Sequence, residues 1–318
     1  MKKPGIFFCI FLSVMTCLGG SSSEFDSEKA GFAIKFKEEV SPYRMMSTFV
    51  LPGQRLILEA VSKNPGKIYH LLHDQGRVVS QKKNSWEWVA PELPGLCMLR
   101  IMEEDAADEI RLNVFVMVPF SQLEGEYLEG YRIGKYPAIP LNMISRYKMP
   151  QGFVRVTEEN EGTFLSPHFK LRQFLCKQSG SYPKFIVLKE RLLLKLELIL
   201  EKVNEAGYRA RTFNILSGYR TPFYNHAIGN VKFSRHLYGG AADIFIDDDP
   251  ADDMMDDLNG DGRTDYKDAM VFHRLIEDMY GKSWYSLFIG GLAYYKRTSA
   301  HGPFVHVDTR GYRARWNN

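Results

Sequence analysis

The sequence predicts an all-β, sandwich-like domain followed by an α+β domain, and three stretches carry that prediction. Ile110, Leu112, Val114, Val116 and Val118 alternate with Arg111, Asn113, Phe115 and Met117, the period of two of a strand with one buried face. Over 185–206, Leu188, Leu192, Leu196, Ile199 and Val203 recur at helical spacing and build one apolar stripe. Beyond that helix, short apolar runs return at 212–216, at 244–246 and around His306. A length of 318 residues, about two ordinary ~150-residue domains, agrees with this division. At 45% hydrophobic there is ample material for a core, which excludes a disordered chain. With 41 Lys+Arg against 38 Asp+Glu and no basic block, no nucleic-acid partner is expected.

The chain opens with Lys2 and Lys3, an apolar core over 6–14 and small residues at 19–23. That is the pattern of a signal peptide, placed at 1–22, and its apolar run is too short to span a bilayer. It predicts an exported protein, periplasmic or extracellular. Val14-Met15-Thr16 before Cys17 is a poor lipobox, which argues against a lipoprotein anchor. Four cysteines are too few for a disulfide scaffold. Cys97 and Cys176 fall in different predicted domains, so two separately buried thiols are expected. No later segment approaches the ~18 apolar residues of a membrane helix, so the mature chain is expected to have no membrane span.

Residues 30–120 read as a β-sandwich-like accessory domain, with further strands at 55–61 and 96–102 and turns at Pro52-Gly53 and Pro94-Gly95. His70 and His73 have no third partner nearby and read as ordinary histidines. Residues 121–165 carry Gly125, Gly130, Gly134, Pro137, Pro140, Pro150 and Gly152, the punctuation of a long, partly ordered linker. The helix at 185–206 places Glu190, Glu197, Glu201 and Glu205 off its apolar stripe and stops before Gly207.

Three motifs then follow: Ser217-Gly218-Tyr219-Arg220, the run from Ser234 to Ile244 containing His236, Gly239, Gly240, Ala241 and Asp243, and Phe304-Val305-His306-Val307-Asp308. A tight Gly239-Gly240 connection can return the carboxylate of Asp243 to the imidazole of His236. Two histidines and one carboxylate leave a coordination position open, as catalytic zinc requires.

The order of SGYR, S-x-H-x-x-G-x-A-x-D and a late V-H-V-D resembles the zinc D-alanyl-D-alanine carboxypeptidase family, within the group that includes lysostaphin-type and hedgehog-type zinc folds. In motif form it is closest to the murein endopeptidase branch. Ser166-Pro167-His168-Phe169 with Gln173-Phe174 also resembles the family's opening segment. The resemblance implies an α+β zinc peptidase domain with a small antiparallel sheet over 166–316, with His236, Asp243 and His306 as zinc ligands. It further implies that Arg220 holds the substrate carbonyl or the oxyanion, and that Ser234 and Tyr219 lie at the substrate. Many members carry a Glu three residues before the last zinc histidine, where this chain has Pro303. The general base is therefore Asp308, which shares a strand face with His306, or His301. Asp308 in that position could instead orient the ligand.

An insertion over 247–280 is acidic, and eleven aspartates lie between Asp243 and Asp268 inclusive. Asp257, Asn259, Asp261, Asp265 and Asp268 fall at positions 1, 3, 5, 9 and 12 of a calcium loop, with Arg263 supplying a carbonyl at position 7 and Gly262 at position 6. The form resembles dockerin calcium loops, which accept Asp at position 12. A bound Ca²⁺ is expected there, followed by a helix over 269–280.

The function expected is an exported zinc metallopeptidase acting on peptidoglycan peptides next to D-amino acids, as a carboxypeptidase or an endopeptidase. The alternative is a catalytically inactive zinc- and calcium-bearing wall-binding module, since a fold alone does not fix activity.

Overall fold

The computed structural model describes residues 25–105, 107–143 and 146–317. The signal segment read at 1–22, with Cys17, lies outside the described residues.

Nine strands come first: β1 (Lys29–Phe36), β2 (Glu39–Tyr43), β3 (Met45–Val50), β4 (Arg55–Val61), β5 (Tyr69–His73), β6 (Arg77–Lys82), β7 (Ser85–Val89), β8 (Gly95–Glu103) and β9 (Glu109–Val116). They form two sheets, ordered β2-β1-β4-β7-β6 and β3-β9-β8-β5. The first is antiparallel throughout, and the second has β3 parallel to β9. Alternation sets the register of each. In β4, Leu56, Leu58 and Ala60 point inward and their neighbours outward. In β9 Leu112, Val114 and Val116 are buried as their period requires, but Phe115 is buried too, because β3 brings Phe49 onto its ring at 5.8 Å. The strand read at 110–118 breaks after Val116, and β10 (Val118–Pro119) pairs elsewhere. Cys97 and Cys176 are buried free thiols.

The segment read as a linker is part of the packed structure. It carries β11 (Tyr127–Leu128), β12 (Tyr131–Arg132), β13 (Gly152–Val156) and most of β14 (Phe164–Ser166). After β15 (Phe169–Lys170) and β16 (Lys184–Ile186), β13 is flanked antiparallel by β10 and β16. Leu128, Tyr131, Ile133, Phe153, Val154, Val156 and Leu165 join a core that runs from Phe32 to Val307. Gly125 and Gly130 lie in turns with positive φ, but Gly152 begins β13, and the aromatic and branched residues between them had a core to enter.

The helix α1 (Glu190–Glu205) starts later than its apolar period suggested, because 184–186 is strand β16. Its stripe is fully buried, and Gly207 beyond its end takes φ 89°. Two charged residues of α1 are buried with it. Lys195 donates to the Asp308 carbonyl at 2.7 Å, and Glu197 accepts from His168 Nδ1 at 2.7 Å. Glu190 and Glu201 do not face open solvent either. Glu190 binds Lys37 and Thr48, and Glu201 binds Lys29 and Tyr43, which fastens α1 to the N-terminal sheets.

The remaining elements are β17 (Asn214–Ser217), α2 (Pro222–Ala227), β18 (Ala241–Phe245), α3 (Tyr266–Glu277), β19 (Gly291–Tyr295), β20 (Phe304–Asp308) and β21 (Ala314–Asn317). The strands form one small sheet, ordered β17-β18-β20-β19-β21, antiparallel except for β19 with β21. Helix α3 packs against β19 and β20, and α1 against α3. The chain is thus mixed α+β behind a β region. Among the described residues no helix is long and apolar enough to cross a membrane.

Candidate metal centre

Sheet register makes the first contact of the site. Asp243 on β18 stands directly opposite His306 on β20, so adjacent strands bring the carboxylate and imidazole together. His236 arrives from outside the sheet, on a 3-10 turn over Arg235–Tyr238 that ends at Gly239. Gly239 has φ 65°, and a Cβ there would stand 2.4 Å from the Val187 carbonyl oxygen. Only glycine permits both the left-handed backbone and this close approach.

The three side chains are buried and converge. His236 Nε2 lies 3.3 Å from His306 Nδ1 and 3.3 Å from Asp243 Oδ1, and His306 Nδ1 lies 2.7 Å from Asp243 Oδ1. Tetrahedral zinc with ligand bonds of roughly 2.0–2.1 Å places its donors roughly 3.3 Å apart. Two of the three edges have that length, and the third has the length of an N–H···O bond. The donor set and its spacing fit a zinc ion.

Each donor is held from behind. His236 Nδ1–H donates to the Gly218 carbonyl at 2.7 Å, which leaves Nε2 as the free donor atom. Arg220 Nη2 donates to Asp243 Oδ2 at 2.5 Å, and its Nε to Ser217 Oγ at 2.7 Å. His306 Nε2 faces Asp308 Oδ2 at 3.2 Å. Asp308 in turn accepts from the Gly291 amide at 2.8 Å and from the Arg310 Nε and Nη2 atoms at 2.9 and 2.5 Å. Partners of this kind fix tautomer and ring orientation at metal-binding histidines.

The electrostatics follow from burial and pairing. Burial holds His236 below the ordinary imidazole value against the pull of Asp243. Burial would raise Asp243, yet His236, His306 and Arg220 keep its carboxyl well below the usual range. Burial also opposes charge on His306, but hydrogen bonds to Asp243 and Asp308 outweigh it and raise its pKa. Asp308 is held well below the usual range by His306 and Arg310, again against burial.

The cluster forms part of the wall of a cavity of about 890 Å³, with Lys177, Ser234, Arg235, Tyr295, His301 and Trp316 among the residues around it. A second cavity of about 390 Å³, beside Arg44 and Phe164, shares no lining residue with it.

The residues singled out from the sequence fall into three groups. His236, Asp243, His306, Arg220, Ser234 and His301 all line the large cavity. Tyr219 does not: it is buried, and its hydroxyl bonds that of Tyr136 at 2.9 Å. Asp308 is wholly buried behind His306, with its carboxylate against His306 Nε2, and is not in the cavity wall. Sequence reading gave no role to Lys177, Tyr295 or Trp316, although Trp316 follows the V-H-V-D run in the resemblance. Trp316 packs on His306 with ring centroids 5.2 Å apart, and its Nε1 donates to the Tyr295 hydroxyl at 2.7 Å. Lys177 follows no motif, and nothing in its local sequence marks it.

The acidic loop closes on itself. Asp257 accepts from the amides of Gly260, Asp261 and Gly262, and Asn259 from that of Asp261. Asp261 pairs with Lys267 at 3.0 Å through Oδ2, and Asp265 caps α3 through the Lys267 amide. Asp268 accepts from Leu258, Asn259 and Asp265 amides. The helix begins at Tyr266 rather than at 269, which puts Asp268 in its first turn. Among the described residues, the carboxylates of Asp257, Asp261, Asp265 and Asp268 do not gather as the His/Asp/His cluster does, and Arg263 only donates its amide to Asp261.

No curated protein matches the chain. Among solved structures, the adhesin InvE of Yersinia pseudotuberculosis is similar over 32% of this chain and 30% of its own length, at 11% identity and a TM-score of 0.18. The family model described as Peptidase M15 matches residues 167–272, which include Arg220, His236 and Asp243, and folding brings His306 to them from beyond the matched segment. Residues 167–272 are thus similar to the Peptidase M15 family, a similarity that supports a peptidase of the zinc D-alanyl-D-alanine carboxypeptidase type.

Proposed function

We propose that the chain is an exported zinc metallopeptidase that hydrolyses peptide bonds next to D-amino acids in peptidoglycan stem peptides, as a D,D-carboxypeptidase or D,D-endopeptidase. The observation that carries this reading is the His236/Asp243/His306 cluster in the wall of an open cavity, inside a chain with a Peptidase M15 segment. Export rests on the signal-peptide pattern at 1–22.

Zinc held by these three residues would polarise the scissile carbonyl and make water nucleophilic near neutral pH. The chain's own groups do the rest. Gly218 and Asp308 keep the two imidazoles aimed at one point, and Arg220 fixes the second oxygen of Asp243. Arg220 also lies in the cavity wall, where its guanidinium stabilises negative charge developing on the carbonyl oxygen. His301 is the general base. It lines the cavity, and its Nδ1–H donates to the Gly302 carbonyl at 2.8 Å, which leaves Nε2 to take a proton. Ser234 borders the bound peptide.

Incubation of the zinc-loaded protein with defined muropeptides, read by mass spectrometry, tests the proposal. Cleavage products that vanish with a zinc chelator and in His236→Ala are expected. Intact muropeptides under all conditions would overturn it. The loop pattern at 257–268 supports a bound Ca²⁺ there. Such binding requires a rise in melting temperature on adding Ca²⁺, absent in Asp257→Ala.

A further inference from the structure

The charge lining the large cavity is one-sided. Lys177, Arg220, Arg235 and Arg310 bring four cations to the wall, and Asp243 brings one carboxylate. Arg220 is committed to Asp243 and Arg310 to Asp308. Arg235 is only 7% exposed, donates to the Arg146 carbonyl and stacks on Tyr147, while its Nε and Nη2 have no partner among the described residues. Lys177 has no ion pair or hydrogen bond among the described residues.

The backbone beneath Lys177 is fixed. The Tyr219 amide donates to the Phe174 carbonyl at 3.0 Å, and Thr221 Oγ1 donates to Gln178 Oε1 at 2.6 Å. Gly218 lies so close to this segment that a Cβ there would stand 2.7 Å from Phe174 Cα. Cys176 and Gln178 on either side of Lys177 are buried. A rigid segment therefore presents a cation to a cavity that already carries excess positive charge. Lys177 itself is exposed to the cavity; desolvation by the surrounding wall lowers its pKa, with Asp243 and Asp253 acting the other way. Such a cation is satisfied by an anionic ligand, because a charge-assisted hydrogen bond to a carboxylate is among the stronger polar contacts.

We infer that the cavity selects peptides bearing a carboxylate near the bond to be cut, and that Lys177 is the residue that binds it. The inference rests on the proposed peptidase reading for the substrate class, but its test does not depend on turnover. The carboxylate is the C-terminal one of a terminal residue or a side-chain one within the peptide.

The test is equilibrium binding to the full-length protein under chelator, where zinc-dependent cleavage is suppressed. Three probes are compared: a peptide ending in D-Ala-D-Ala as the free acid, the same peptide as its C-terminal amide, and an amidated peptide carrying a D-glutamate side chain. At least one carboxylate-bearing probe is expected to bind about tenfold more tightly than the plain amide. Lys177→Met should abolish that preference and Lys177→Arg should keep it. The probe that loses affinity in Lys177→Met identifies the source of the carboxylate. Equal binding of all three by the wild type, or a preference that survives in Lys177→Met, would overturn the inference. A Lys177-dependent preference without zinc-dependent cleavage would uphold it and remove the peptidase reading instead.

Discussion

Behind each metal-facing atom stands a second group: the Gly218 carbonyl behind His236, Arg220 behind Asp243 and Asp308 behind His306. Loss of such a group loosens the ligand it orients, typically by about 10–100-fold in metal affinity. Asp308→Asn keeps the size of the side chain and removes its charge, so zinc affinity measured by chelator competition should fall within that range. Unchanged affinity would mean that Asp308 merely fills space. His301→Gln addresses the other assignment. It should lower kcat by about 10²–10⁴ while zinc content, read by elemental analysis, stays at the wild-type level. The donor triad was legible in the sequence because each residue sits in a compact local motif. The role of Asp308 was only half legible. Spacing on a strand puts residues 306 and 308 on one face, but which side of the imidazole the carboxylate meets is set by Gly291 and Arg310, which fix Asp308 in place.

At the scale of elements, helix α1 shows where periodicity stops being informative. Its apolar stripe was readable, but Glu197 was assigned to the polar side and is fully buried. Its partner His168 lies 29 positions earlier, in the segment that resembled the family opening. Both ring nitrogens of His168 face acceptors, Glu197 Oε2 at 2.7 Å and the Asp26 carbonyl at 3.1 Å. Burial works against charge on that ring, but these partners win and raise its pKa above 6.5. The protonated imidazole is thus the form the fold favours. Its contribution is complete below pH 6.5 and disappears as pH rises through the higher folded-state value. The gap in unfolding free energy between wild type and His168→Gln should therefore narrow on going alkaline. A gap that is constant with pH would rule out this linkage. The Gly239-Gly240 turn was legible for a different reason: a positive φ and a close backbone approach leave a direct mark on residue choice.

For the whole molecule, the strand-rich start and the α+β remainder could be read from the pattern of apolar residues, but their union could not. Ion pairs such as Lys37–Glu190 and Lys29–Glu201 join residues more than 150 positions apart, and no local signal records partners at that distance. The apolar core crosses the same boundary. A chain starting at residue 121 would therefore lose the cover over Glu190, Glu201 and the face of α1 that meets β2 and β3. Its melting temperature should fall several degrees below that of the full chain. Equal melting temperatures would show that the N-terminal sheets add no stability to the rest.

The Tyr136 hydroxyl bonds the Leu237 carbonyl at 3.1 Å, and the Tyr147 hydroxyl bonds the Phe233 carbonyl at 3.2 Å. These two tethers bracket His236 in the chain. Anyone transplanting the His236/Asp243/His306 region onto another scaffold must therefore take the preceding girdle with it. A fusion joint placed between residues 137 and 146 would cut one guy-rope of the site's floor from the other.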